Sequence, residues 1–119
     1  MKTLDLDKIY KVIHQFVEER DWDQFHSVKN LSMALSVEAS ELAEIFQWMP
    51  EAASNQVKNN PEVMSKLEDE VADVFVYLLR VIAKTDIDLE KVVLQKMKKN
   101  EAKYPIELSK GLSKKYNEL

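Results

Sequence analysis

Four stretches of this chain repeat apolar residues every three or four positions, the spacing that lines them along one side of a helix. In the first, Ile9, Val12, Ile13, Phe16 and Val17 keep the period after candidate caps at Thr3, Asp5 and Asp7, which predicts a helix from about Leu4 to Glu19. RDWDQFHSVKN follows, with aromatic and polar residues mixed without a period, and reads as a connecting loop. A second helix is predicted from near Ser27 to about Met49, because Leu31, Leu35, Leu42, Ile45 and Phe46 hold the phase and Pro50 stops it. Asn60 and Pro61 suit the cap and first turn of a third, PEVMSKLEDEVADVFVYLLRVIAK. Asp88 suits the cap of a fourth, DLEKVVLQKMKKNEAKY, which ends before Pro105.

The third helix is apolar around more than half its circumference, more than one neighbour in a small bundle would cover, so a central place at a subunit interface is expected for it. No linker, low-complexity tract or repeat divides the chain. Residues 1–119 read as one all-α domain, with 106–119 a polar tail holding the only Gly.

Composition narrows the choice of partners. With 119 residues, one Gly, three Pro and 45% hydrophobic residues, the chain suits a modest helical core that association could complete. Its 17 basic against 21 acidic residues leave a net charge of -4, so no basic excess is present to hold a polynucleotide or an acidic membrane. The absence of Cys removes disulfides and thiolate metal sites. No signal peptide or membrane span stands out, which makes the cytoplasm the expected location.

Against this background, four acids depart from the helical pattern. With Leu31 as zero, Glu38 falls at about -20° and Glu41 at about -80°; with Val63 as zero in the third helix, Glu70 falls at about -20° and Asp73 at about -80°. On both helices the first acid interrupts the apolar face and the second borders it. Either pair alone, in a chain that is 32% charged, would read as a solvated face. Their matching phase on two apolar helices predicts convergence, and converging carboxylates need a cation between them. Oxygen ligands without His or Cys suit a hard ion, Mg²⁺ first and Mn²⁺ as a substitute.

Two further groupings combine charge or flat apolar surface with hydrogen-bonding side chains. Lys96, Asn100 and Lys103 follow i, i+4, i+7 with Tyr104 adjacent, which suits either a phosphate grip or a solvated basic face. Trp22, Phe25 and Trp48 offer flat apolar walls, with His26 and Asn30 as directional hydrogen-bonding groups; the competing reading makes Phe25 and Trp48 core or interface aromatics and the loop histidine merely exposed or capping. His14 fits a structural role.

The ordered set E-x-x-E, a spacer of 28 residues (42 to 69), then E-x-x-D resembles the signature of the all-α nucleoside triphosphate pyrophosphohydrolases, the MazG-like superfamily. RDWDQFHSVKNL, ELAEIFQW, EDEVADVFVYLLR, KMKKNEAKYP and SKKYNEL are similar to the corresponding parts of its dCTP pyrophosphatase subgroup. The resemblance implies Mg²⁺-dependent hydrolysis of dCTP or a modified dCTP to nucleoside monophosphate and pyrophosphate, for cleansing or balancing the nucleotide pool. It implies Glu38, Glu41, Glu70 and Asp73 as metal ligands and Glu41 as the group that orients or deprotonates water. It further implies Trp22, His26, Asn30 and Trp48 as the base pocket, with Lys29, Lys96, Asn100, Lys103 and Tyr104 toward the phosphates. Arg often stands in related sequences where this chain has Lys103. The family also implies an assembly, expected here as a homotetramer of two dimers. The competing reading is a helical module that senses Mg-nucleotide without turning it over.

Overall fold

The computed structural model describes residues 1–113, and among them every regular element is helical. It contains α1 (Leu6–Glu19), a 3₁₀ turn (Asp23–Phe25), α2 (Val28–Phe46), α3 (Glu51–Ser54), a second 3₁₀ turn (Val57–Asn59), α4 (Pro61–Thr85), α5 (Leu89–Lys103) and α6 (Ile106–Ser109). These divide between two compact units, Met1–Thr85 and Asp86–Leu119.

Caps set the boundaries of the first unit. The Asp5 carboxylate accepts from the Lys8 amide at 3.0 Å, so α1 starts at Leu6 rather than Leu4. Beyond Glu19 the chain reverses through Asp21, whose φ of 52° lies in the left-handed region. The Ser27 hydroxyl caps α2 at the Asn30 amide, and the Asn60 side chain caps α4 at the Val63 amide. Helix α2 stops at Phe46, short of the expected Met49, because the chain turns before Pro50 and the Met49 amide already bonds to the Phe46 carbonyl. Between Pro50 and Asn60, where the sequence has little apolar periodicity, lie α3 and the second 3₁₀ turn.

Packing in this unit centres on α4. Ile13 and Val17 of α1 meet Leu79 of α4, with Leu6, Ile9, Tyr10, Phe75 and Val76 around them. Helix α2 packs on α4, and its Leu31 is 1% exposed. That close pairing keeps the acids of α2 and α4 in register. Much apolar surface nonetheless stays uncovered, including Val12, Phe16 and Val71. A groove of about 450 Å³ lined by Met64, Leu67, Glu68, Val71, Ala72 and Phe75 runs along α4.

In the second unit, Asp88 caps α5 at the Lys91 amide, and the Tyr104 amide closes its end on the Asn100 carbonyl at 2.8 Å. Within the expected polar tail, Ile106–Ser109 forms a helical turn and Gly111 takes a φ of 79°. The remainder of that tail, 114–119, lies outside the described residues.

Candidate active site

Glu38 and Glu41 lie one turn apart on α2, and Glu70 lies opposite on α4. One carboxylate oxygen from each of the three falls within 4.8 Å of the others. Asp73, a turn beyond Glu70, adds its negative charge to both Glu38 and Glu70. Oε2 of Glu38 and Oε2 of Glu70 are buried without a hydrogen-bond partner.

The electrostatics record the strain of this arrangement. Burial, reinforced by Glu41, Asp73 and Glu70, pushes the Glu38 carboxyl up from 4.5 to about 7. Burial also raises Glu70, with the charges of Glu41 and Asp73 acting in the same direction. Orphaned buried oxygens and mutually opposed charges are what a hard divalent cation would relieve, and the donor set is all oxygen. The residues fit such an ion: Glu38, Glu41 and Glu70 could hold it directly, with Asp73 supplying a fourth negative charge.

The aromatic and amide candidates of the first unit surround the loop between α1 and α2 and the far end of α2. Trp22 keeps 44% of its surface exposed and meets Phe16 edge-on, with ring centroids 5.6 Å apart. His26 is partly buried, with Nδ1 unpaired; burial first, and the nearby Arg80 charge second, lower its pKa and favour the neutral imidazole. Asn30 donates through Nδ2 to the Phe25 carbonyl at 3.0 Å, tying the loop to the start of α2. Lys29 is exposed one residue earlier. Trp48 is 90% exposed just past α2, which excludes a role in the core of this chain. His14 stacks on Tyr10 at 5.5 Å and faces Glu18 at 3.9 Å.

Lys96, Asn100 and Lys103 share the α5 spacing expected of them, with Tyr104 at its C-cap, all in the second unit. Lys96 lines a cavity of about 490 Å³ with Val92, Val93, Gln95, Met97 and Lys99.

One polar grouping escaped the sequence reading. Arg80, only 3% exposed, donates from Nη2 to Asp23 Oδ1 at 2.8 Å, and Lys84 Nζ reaches the same oxygen at 2.6 Å. The signal was present: VFVYLLRVIA carries one cation in an apolar run, and a buried guanidinium needs a counter-charge.

Comparison with known proteins places the chain among relatives of the same fold. The model of the MazG-like family matches residues 33–119. The chain is 40% identical over 114 residues to dCTP pyrophosphatase 1 of Rattus norvegicus, spanning 96% of this chain and 67% of that protein. The same identity and coverage hold for dCTP pyrophosphatase 1 of Homo sapiens. The fold is similar to the crystal structure of a pyrophosphatase from Archaeoglobus fulgidus, with a TM-score of 0.77 and 33% identity, covering 88% of this chain and 96% of that one.

Proposed function

The chain belongs to the MazG-like family, and from that premise we propose that it hydrolyses dCTP or a modified dCTP between the α and β phosphates, releasing nucleoside monophosphate and pyrophosphate. Membership and the long match to pyrophosphatases support the reaction class, and the names of the relatives support the choice of base. The observation that carries the reading is the meeting of Glu38, Glu41 and Glu70 oxygens within 4.8 Å, two of these acids having a buried oxygen without a partner.

Glu38, Glu41, Glu70 and Asp73 are the proposed ligands of Mg²⁺, with Mn²⁺ as a substitute. When bound, the ion neutralises triphosphate charge, polarises the reacting phosphorus and lowers the pKa of the attacking water. Glu41 is the proposed residue that orients this water or takes its proton. Trp22 and Trp48 are assigned to the faces of the base, supported by the exposed area each ring offers. A neutral His26 offers one ring N–H and one ring lone pair, and Asn30 retains an N–H and its carbonyl oxygen after bonding Phe25. Lys29, Lys96, Asn100, Lys103 and Tyr104 are assigned to the phosphates on the family resemblance and the spacing along α5.

The uncovered apolar residues of α1 and α4 support the homotetramer, a dimer of dimers, as the working form. No described helix is long and apolar enough to cross a membrane. We assign the protein to the cytoplasm, in cleansing or balancing the nucleotide pool.

Incubation with Mg²⁺ and each natural triphosphate plus modified cytosine forms, with products separated, tests the function. Conversion of dCTP to dCMP and pyrophosphate is expected. Release of dCDP and orthophosphate would overturn the bond assignment, and binding without turnover would favour a sensing module.

A further inference from the structure

Arg80 is a buried cation with its neutraliser 57 residues away in sequence. Among the described residues, Asp23 is the acid within ion-pair distance of it, and Lys84 joins on the same Asp23 oxygen. Arg80 Nε has no partner, so the pairing through Nη2 is what offsets the cost of burying the charge. The two cations hold the Asp23 carboxyl below its ordinary range, Lys84 contributing first and Arg80 second. Removing the Asp23 charge would leave Arg80 buried without a counter-ion, so this contact favours one placement of the segment that carries Asp23.

That segment is the 3₁₀ turn Asp23–Phe25, with Trp22 immediately before it and His26 immediately after. Its own backbone bonds are few: Phe25 to the Trp22 carbonyl at 2.9 Å and His26 to the Asp23 carbonyl at 3.0 Å. It is tied to α1 by the Trp22 amide on the Val17 carbonyl, and to α2 by Asn30 on the Phe25 carbonyl. The Asp23 contact supplies the third attachment, to α4. Relative to Glu70, Asp73, Arg80 and Lys84 fall within an arc of about 80° along that helix, with Arg80 about 15 Å beyond Glu70. One rigid helix therefore bears both the acidic cluster and the anchor of the turn.

We propose that Asp23, gripped by Arg80 and Lys84, is a positioning residue that fixes the Trp22 and His26 side chains for the nucleobase at a set distance from the acids of α4. The inference rests on the reading of Trp22 and His26 as base-binding residues. The clamp acts on recognition of the base, and the phase of Glu38, Glu41 and Glu70 does not depend on it.

Asp23→Ala tests the clamp, because the side chain is half exposed and its removal creates no large void. KM for dCTP should rise at least about tenfold while kcat stays within about threefold and pyrophosphate binds as before. Asp23→Glu should recover part of the loss. A second readout requires no turnover: Trp22 and Trp48 are the two indoles of the chain, so a Trp48→Phe background leaves Trp22 as sole reporter. Asp23→Ala in that background should increase acrylamide quenching of Trp22, and Asp23→Glu should reverse the increase. Unchanged KM and quenching in a folded Asp23→Ala variant would overturn the clamp, as would equal losses in kcat and pyrophosphate affinity. If Asp23→Ala fails to fold, Lys84→Met, which removes one of the two cations, carries the same expectations at smaller size and is judged by the same outcomes. A wild type that turns over no triphosphate would defeat the functional reading, while the quenching series would still decide whether Asp23 fixes the turn.

Discussion

Glu38 of α2 and Glu70 of α4 each contribute a buried, unpartnered carboxylate oxygen to one acidic cluster. Each has its pKa raised, so the native metal-free state holds protons that the unfolded chain has already released. By linkage, stability then falls as pH rises, because the unfolded state binds fewer protons than the native one. For Glu38 the window runs from about 4.5 to about 7.

The metal-free protein should accordingly lose the Glu38 contribution to stability progressively across that window. His26 opposes this just below pH 6.5, since its lowered pKa makes stability rise with pH there. The informative quantity is therefore the difference in melting temperature between wild type and Glu38→Gln, followed in chelator at constant ionic strength. The variant should gain relative to wild type as pH increases from 4.5 to 7, and a constant difference would show that Glu38 does not titrate in the cluster.

Turnover should respond more sharply than folding. Glu38→Gln keeps shape but removes a negative charge from the proposed metal site, and even the outer partners of metal ligands are worth about 10–100-fold. A loss of more than about 100-fold in kcat/KM, with unchanged helical circular dichroism, is expected. An active variant would remove Glu38 from the metal site, and an unfolded one would make its role structural.

The two acidic pairs were legible because the α-helical period makes a polar residue on an apolar face visible, and because α2 and α4 repeat the same departure at the same phase. The caps at Asn60 and Asp88 were legible as local signals before a periodic run, whereas Asp5 was one of three candidates with Thr3 and Asp7, and Ser27 was read only as a helix start. The Asp23–Arg80 pair was not foreseen, since its partners are 57 positions apart and no periodicity links a turn to a helix. Helix α3 and the turn Val57–Asn59 were also missed, being too short to display a repeating face. For Trp48, sequence left core and binding roles open, and an exposure of 90% removes the first within this chain.

Trp48 therefore offers a direct test of base recognition. If its ring stacks on the base, Trp48→Ala should weaken dCTP binding by about 1–3 kcal/mol while leaving pyrophosphate, which has no base, nearly unaffected. Titration calorimetry with both ligands separates the cases. Equal losses, or a change in subunit number, would assign the ring to an interface instead.

The apolar surface of α4 predicts self-association. Val71 is 50% exposed at a groove that includes Phe75, and a stable interface of about 1,600 Å² needs such a face covered. Val71→Glu should shift the sedimentation mass to a smaller species with its helical signal retained. An unchanged mass would exclude this face from the assembly.

Metal binding should convert the repulsion among the acids into a gain in stability. Two charges 4 Å apart repel by about 1 kcal/mol even in water, and by more where packed helices reduce screening. An ion that binds the native state alone adds RT ln(1 + [L]/Kd), about 2.7 kcal/mol at a hundredfold excess over Kd, so Mg²⁺ should raise the melting temperature of the wild type by several degrees. A non-hydrolysable dCTP analogue should raise it further, since triphosphate oxygens complete the coordination. The combined variant Glu38→Gln, Glu41→Gln, Glu70→Gln and Asp73→Asn removes both the repulsion and the ligands. Its metal-free form should melt no lower than the metal-free wild type at pH 7, and its Mg²⁺ response should vanish. Melting curves at matched ionic strength distinguish specific binding from screening by salt: an equal Mg²⁺ shift in both proteins would mean that these four carboxylates do not hold the ion.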